Sequence, residues 1–334
     1  MNIREIASLA GVSRAAVSRY FNDGYLSEEK RMAIQKVVEE TGYKPLLQAQ
    51  TLRTKKTKMI GIVMPKLASY SLGHEINGIL SVLNETGYKC ILADTQNDVN
   101  KEIEYLKSFR SSQVDGVIFI ATIDTPKHHS VLKKMDVPVV IVGQNFKGNC
   151  SIYHDDYNAM HDMAKLVISK GRRHIAYIGV TKKDIAAGQM RYDGFVNAIE
   201  EVDEEIKKTI KTTYFEGEFN SQSGFEGAKE VLSIDPQTDA IVCATDTIAI
   251  GVYKYLKSIG KEIPTDIIVT GHGDSSFSNV VTPELTTVHY YYEESGVKAA
   301  QQMLSFLKKN DSNIDNVKEI KMGYSIIERD SSKV

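Results

Sequence analysis

The chain has 334 residues, 42% apolar and 25% charged, which allows two or three domains with buried cores and fits a soluble globular protein. No apolar run approaches the ~20 residues of a membrane helix, and the opening Met1-Asn2-Ile3-Arg4-Glu5 lacks the layout of a secretory signal. The net charge of -2 hides an asymmetry, since residues 1–58 hold 11 Lys and Arg against 6 Asp and Glu, and the remainder 30 against 37. A basic head on an acidic body suits a protein of which only one end meets phosphates. The cysteines Cys90, Cys150 and Cys243 are far apart and unpaired in spacing. They speak against a disulfide framework or a zinc site and for a reducing cytoplasm, and each reads as a small buried hydrophobe.

The first segment predicts three short helices. Ile3 to about Ala10 puts Ile3, Ile6, Ala7 and Ala10 on one face. Gly11-Val12 makes a tight turn, and Ser13 caps a second helix that runs to about Phe21. After the turn Asn22-Asp23-Gly24, Ser27 caps a third helix, with Glu28 and Glu29 complementing its dipole and Met32, Ile34, Val37 and Val38 facing the first two. Gly42 ends it, and Pro45 prevents resumption. Residues 46–58 read as a hinge and linker: Leu46–Arg53 can form a short helix, and Thr54–Lys58 is polar and basic.

From Met59 short apolar runs alternate with longer amphipathic stretches. Strands are predicted at Met59–Met64, Cys90–Ala93, Gly116–Ile120, Val139–Val142, Ile175–Ile178, Thr212–Phe215, Ala240–Cys243 and Ile267–Thr270. Helices are predicted at Ser71–Glu85, Lys101–Ser111, Tyr157–Ser169, Ile248–Ser258 and Glu293–Lys308, followed by short strands near Val317–Lys321 and Ser325–Ile327. Continuous apolar strands separated by helices mean parallel sheets covered on both faces. Eight such units exceed one six-stranded sheet, so two doubly wound lobes are the economical reading. The expected organisation is an all-α helix-turn-helix head at 1–45, a hinge at 46–58 and an α/β core at 59–334. Within the core, lobe 1 takes about 59–154 plus 290–314, and lobe 2 about 155–288 plus 315–334.

The strongest chemical signal is Ile6 to Arg19. A helix-turn-helix needs small residues where its helices cross, a glycine in the turn and an apolar plug after it, and Ala7, Ala10, Gly11 and Val12 meet those demands. The second helix presents Arg14, Ala15, Ser18, Arg19 and Asn22, with Ser13 at its start. Arg14 stands where recognition helices touch base edges, and arginine pairs bidentately with guanine. Ala15 offers a methyl contact, and Ser18 and Asn22 suit phosphate or sugar.

At these residues the chain resembles the LacI/GalR family of bacterial repressors. The likeness continues through Gly42-Tyr43-Lys44-Pro45 and the hinge Ala49-Gln50-Thr51-Leu52. It implies a periplasmic-binding-protein-like core, a homodimer on double-stranded operator DNA, and a leucine wedge, here Leu52, entering the minor groove beside Ala49 and Gln50. Two positions depart from the family pattern: Leu46 stands where asparagine is usual and Gln50 where arginine is frequent. Arg191-Tyr192-Asp193-Gly194-Phe195 is similar to the family's Arg-x-x-Gly-aromatic motif, whose arginine binds effector hydroxyls between the lobes. The Thr245–Gly251 segment and Thr282–Val288 match family segments too. Residues at the carboxyl ends of parallel strands converge on the crevice. Arg191, Asp246, Asp274 and Tyr290 are therefore candidate ligands for a sugar or sugar phosphate, joined by Ser69 and Ser71 after the first strand. Gly273 stands where the family often has aspartate, and Gly143-Gln144 where it often has Asp-Arg. With Pro65-Lys66 and His289–Tyr292, these variants are similar to the sucrose-operon-repressor branch.

Rival readings find less support. Gly271-His272-Gly273 only approaches a dinucleotide fingerprint, and no phosphate loop or nucleophile elbow exists, so an α/β enzyme with a regulatory head, a cofactor and catalytic residues are not expected. A regulator tuned by a phosphocarrier protein resembles this chain less well, because Gln301 stands where such a regulator has arginine. His154-Asp155-Asp156 with His161-Asp162 has metal-ligand residue types but reads as solvated surface or interlobe polar contacts, so no metal is expected.

Overall fold

The computed structural model describes residues 1–22, 24–43, 56–67, 69–110, 114–308 and 318–333. The chain forms two compact units, Met1–Lys58 and Met59–Val334.

The first unit contains α1 (Ile3–Leu9), α2 (Arg14–Tyr20) and α3 (Glu28–Thr41). Asn2 and Glu5 form a reciprocal capping box: the Asn2 side-chain oxygen accepts from the Glu5 N–H at 3.2 Å, and the Glu5 carboxylate accepts from the Asn2 N–H at 3.1 Å. The Ser13 hydroxyl caps α2, accepting from the Ala16 N–H at 3.2 Å. Ser27 precedes α3 in extended backbone, but its side chain makes no cap bond. Ile6, Ala7, Ala16, Val17, Ile34 and Val37 form the core. Met32, expected in that core, is 59% exposed. Two residues before Ile34, it falls on the opposite side of a 3.6-residue turn. Gly11, between α1 and α2, has φ +64°, a left-handed conformation that favours glycine.

In the second unit the helices are α4 (Tyr70–Asn84), α5 (Val99–Arg110), α6 (Pro126–Leu132), α7 (Asp156–Ser169), α8 (Arg191–Glu200), α9 (Glu204–Lys207), α10 (Ser221–Ile234), α11 (Asp246–Ser258) and α12 (Tyr292–Lys308). A π-helical segment, Ile185–Met190, leads directly into α8. The strands are β1 (Met59–Met64), β2 (Lys89–Asp94), β3 (Gly116–Ile120), β4 (Val139–Val142), β5 (Cys150–His154), β6 (His174–Val180), β7 (Lys211–Gly217), β8 (Ala240–Cys243), β9 (Ile268–Thr270), β10 (Thr287–Tyr290), β11 (Lys318–Met322) and β12 (Tyr324–Ile327).

Lobe 1 is a parallel sheet in the order β11-β5-β4-β3-β1-β2. Ile60, Ile62, Ile118 and Val140 pack on α4 and α12, while Val63, Val117, Phe119 and Ile141 pack on α5 and α6, so both faces are covered. Lobe 2 is a parallel sheet in the order β7-β6-β8-β9, whose core gathers Tyr177, Ile178, Val242 and Val269 with residues of α7, α8, α10 and α11. Beside it, β10 and β12 pair antiparallel.

One boundary differs from expectation. The strand β11, expected in lobe 2, pairs with β5 (Ile320 with Ile152) and completes the lobe 1 sheet. The strand β5 has a hydrogen-bonding edge beyond β4, and its polar sequence, Cys-Ser-Ile-Tyr-His, gives no continuous apolar run to predict it. The chain therefore passes between the lobes at His154–Asp156, Tyr290–Tyr292 and Met322–Tyr324. Of the cysteines, Cys150 and Cys243 are buried and Cys90 is half-buried.

Candidate functional site

In the head, Arg14, Ala15, Arg19 and Asn22 are exposed and Ser18 is half-buried, while Ala16 and Val17 turn inward. Arg14 is the first residue of α2, directly after the Ser13 cap. The Asn22 amide donates to the Ser18 carbonyl, which fastens the end of α2. This leaves one helix face carrying two guanidinium groups and small side chains. Ala49, Gln50 and Leu52 lie outside the described residues.

Between the lobes, the three passages of the chain bring together a buried polar cluster. Arg191 opens α8 with its side chain 9% exposed, and its Nε donates to Asp156 Oδ1 at 2.8 Å, its Nη2 to the same oxygen at 2.7 Å and its Nη1 to the Ala244 carbonyl. The Tyr290 hydroxyl donates to Asp156 Oδ1 at 3.1 Å, and its ring lies 5.3 Å from the guanidinium carbon. His154 packs against Tyr290 and Tyr292 at 5.0 and 5.2 Å between ring centres. Gly194 lets α8 approach α7 closely: a Cβ there would stand 2.3 Å from the Tyr157 carbonyl oxygen. Arg191 and Tyr290 are thus brought together, with Tyr290 wholly buried beneath the pair.

Asp246 is the first residue of α11, and Thr245 before it caps the helix, accepting from the Ile248 N–H at 3.2 Å. The Asp246 carboxylate accepts from the Ser275 N–H at 2.6 Å and from the Thr287 hydroxyl. Burial raises its pKa against those hydrogen bonds. Asp274 turns away into lobe 2. Its Oδ1 accepts from Arg329 at 2.7 Å and Ser278 at 3.1 Å, and its Oδ2 lies 2.9 Å from His289 Nδ1. Burial works against ionisation of Asp274, but the Arg329 and His289 donors outweigh it and lower the pKa. Tyr70, at the start of α4, has its pKa raised by partial burial and by the negative charges of Asp274 and Asp246, so this corner of lobe 1 faces them. Ser69 and Ser71 adjoin it, with their hydroxyls 3.1 Å apart.

Several residues of this region carry no motif. Gln144, after β4, donates from Nε2 to the Thr122 carbonyl at 2.8 Å and to Asp184 Oδ1 at 3.0 Å, joining lobe 1 to lobe 2. Asp184 is buried, which pushes its pKa up to about 6, and it caps the π-helical segment by accepting from the Ala187 N–H at 3.0 Å. A pocket of about 340 Å³ adjoins this contact, lined by Gln144, Asp156, Ile185, Met190 and Lys321 among others. A second, of about 470 Å³, lies at the carboxyl ends of β6 and β7. Phe219, just beyond β7, is an exposed aromatic at the same end.

Comparison with known proteins places this geometry. Residues 164–332 match the periplasmic binding protein-like domain, and residues 2–45 match the lacI family of bacterial regulatory proteins. The chain is 34% identical over 302 residues to the sucrose operon repressor of Staphylococcus xylosus, covering 90% of this chain and 92% of that one. The chain belongs to the lacI family. The HTH-type transcriptional regulator RegA of Clostridium saccharobutylicum is 30% identical over 334 residues, with 99% of each chain covered. The crystal structure of the lac repressor dimer bound to operator and an anti-inducer shares the fold, with a TM-score of 0.89 at 20% identity over 100% of this chain and 99% of that one.

Proposed function

We propose that the chain is a sequence-specific repressor of a carbohydrate-utilisation operon, acting as a homodimer in the bacterial cytoplasm, on the nucleoid when bound to its operator. Its DNA affinity is set by a sugar or sugar phosphate between the lobes. The observation that carries this reading is the exposed α2 face with Arg14 and Arg19, set on a filled helix-turn-helix core in a lacI-family chain. The printed name of the Staphylococcus relative, a sucrose operon repressor, supports the carbohydrate link. Two Arg14-bearing helices enter successive major grooves, and paired hinges grip the centre of the site through Leu52. A ligand changes this only if it favours one lobe arrangement over another.

A gel-shift titration tests the reading. The purified chain is expected to prefer its own promoter fragment over random duplex at physiological salt. Leu52→Ala is expected to weaken that binding at least tenfold while sugar affinity stays unchanged. Equal binding to promoter and random duplex, with and without sugars, discards the repressor reading.

A further inference from the structure

We infer that the effector of this chain is an uncharged polyol, one of whose hydroxyls enters a notch at Gly273 and donates to Asp246 beside the Tyr292 hydroxyl. The inference rests on the sugar-responsive reading above and decides between a neutral and a phosphorylated sugar.

The notch is a property of one glycine. Within 4 Å, its two chain neighbours aside, a Cβ on Gly273 would meet among the described residues the Tyr292 hydroxyl at 3.7 Å and Asp246 Oδ2 at 3.8 Å. One of these atoms belongs to the start of α12 in lobe 1 and the other to α11 in lobe 2. The φ of Gly273 is +127°, where side-chain-bearing residues are strained, so the chain turns here without a side chain. Asp274, the next residue, has its carboxylate held by Arg329, His289 and Ser278 and does not take over that position. Asp246 is therefore the carboxylate that borders the notch, and each of its oxygens, already accepting one hydrogen bond, keeps acceptor capacity for a hydroxyl.

Charge then selects the ligand. A buried carboxylate accepts from hydroxyls and repels a phosphate dianion, the more so away from water. The nearby buried cation offsets this little, because the Arg191 charge is already paired with the Asp156 carboxylate, with Nη1 held by the Ala244 carbonyl. His272, next to the notch, is 2% exposed, and neither ring nitrogen has a hydrogen-bond partner among the described residues. Burial and the Arg191 charge hold its pKa well below the usual value, so it offers a neutral donor and acceptor rather than a phosphate-binding cation. The 470 Å³ pocket at the ends of β6 and β7 has Glu216, Glu218 and Glu226 on its wall. Lys182 lies 3.3 Å over the Tyr192 ring, and Lys66 and Lys183, after β1 and β6, are exposed. A phosphorylated ligand would need a cation to hold it; Lys321, which lines the interlobe pocket, is paired with Asp155 at 2.8 Å, and a neutral polyol needs no cation.

Calorimetric titration of the full chain with matched pairs tests this: fructose and fructose 1-phosphate, glucose and glucose 6-phosphate, sucrose and sucrose 6-phosphate, trehalose and trehalose 6-phosphate. At least one neutral member is expected to bind, with its phosphate at least tenfold weaker. Gly273→Asp is expected to lower the neutral sugar's affinity at least tenfold while ligand-free promoter binding persists. Asp246→Asn, which keeps the shape and removes the charge, is expected to narrow the preference over the phosphate. Tighter binding of a phosphate than of its neutral partner overturns the inference and leaves the sugar-responsive repressor standing. Neutral-sugar binding untouched by both Gly273→Asp and Asp246→Asn overturns the notch. A chain that selects its promoter yet binds no member of any pair overturns the sugar-effector reading and this inference with it.

Discussion

Arg191 and Asp156 show how much a single residue depends on a partner far along the chain. Both are buried, 35 positions apart, and the guanidinium makes two of its contacts to one carboxylate oxygen. Truncating one member of such a pair leaves the other charged and desolvated, which costs about 3–5 kcal/mol. Asp156→Ala is therefore expected to lower stability in urea by about that amount, and Asp156→Asn by less, because an acceptor for Arg191 remains. A loss below about 1 kcal/mol in Asp156→Ala would show the pair to be solvated. Arg191 was legible because its motif fixes it at a helix start. Asp156 was not, because His154-Asp155-Asp156 has the residue types of a solvated surface, and only the passage from β5 into α7 tells which carboxylate turns inward. Gly273 and Asp274 are a similar case: the departure from the family pattern is visible in sequence, but that Asp274 turns to Arg329 is decided by the backbone at Gly273.

At the level of elements, the apolar spacing of α4 and α12 was sufficient to predict both helices, while their contact contains a group the pattern does not explain. The two helices meet at Gly78 and Gly296, where added Cβ atoms would stand 2.0 Å from the carbonyl oxygens of Glu293 and Glu75. Within this close contact the Glu75 side chain is buried, with Oε2 lacking a hydrogen-bond partner among the described residues. Burial pushes its pKa up to about 8, and the Ser295 hydroxyl offsets only part of that. A carboxyl whose folded pKa exceeds its unfolded value binds more protons when folded. The linked stability is thus full below the unfolded pKa near 4.5 and falls as pH rises toward 8. The slope approaches about 1.4 kcal/mol per pH unit. Glu75→Gln is expected to match the parent near pH 5 and to exceed it by a few kcal/mol at pH 8, read from urea midpoints at both pH values. Parallel pH profiles for parent and variant would show Glu75 to be ionised and solvated. Two strands, β5 and β10, escaped prediction for the opposite reason. Polar β5 and β10 are recruited by neighbours already in place, and the partner of β11 is set by which sheet edge the returning chain meets.

For the whole molecule, the decisive quantity is the free-energy difference between lobe arrangements, and one contact reports on it directly. Gln144 is anchored to the Thr122 carbonyl of its own lobe and reaches Asp184 on the other, both side chains buried. Asp184 also caps the π-helical segment that runs into Arg191, so this contact bears on the same site as the buried ion pair. A hydrogen bond to a buried carboxylate contributes about 1.5–3 kcal/mol net, or roughly ten- to a hundredfold in an equilibrium constant. Gln144→Ala removes it without touching Arg191, Asp246 or the head, and so disfavours the joined arrangement alone. Whichever partner prefers that arrangement must then bind more weakly, and whichever prefers the other more tightly, each by at most that factor. If the sugar releases the operator, the two partners prefer different arrangements, and Gln144→Ala moves promoter and sugar affinities in opposite directions. If the sugar holds the repressor on DNA, both affinities move together. Gel shift and calorimetry on the one variant therefore read the sign of the regulation. Should neither affinity change while the fold stays intact, the contact is equally strong in both arrangements, and the energy that couples sugar to operator must reside in the three chain passages between the lobes.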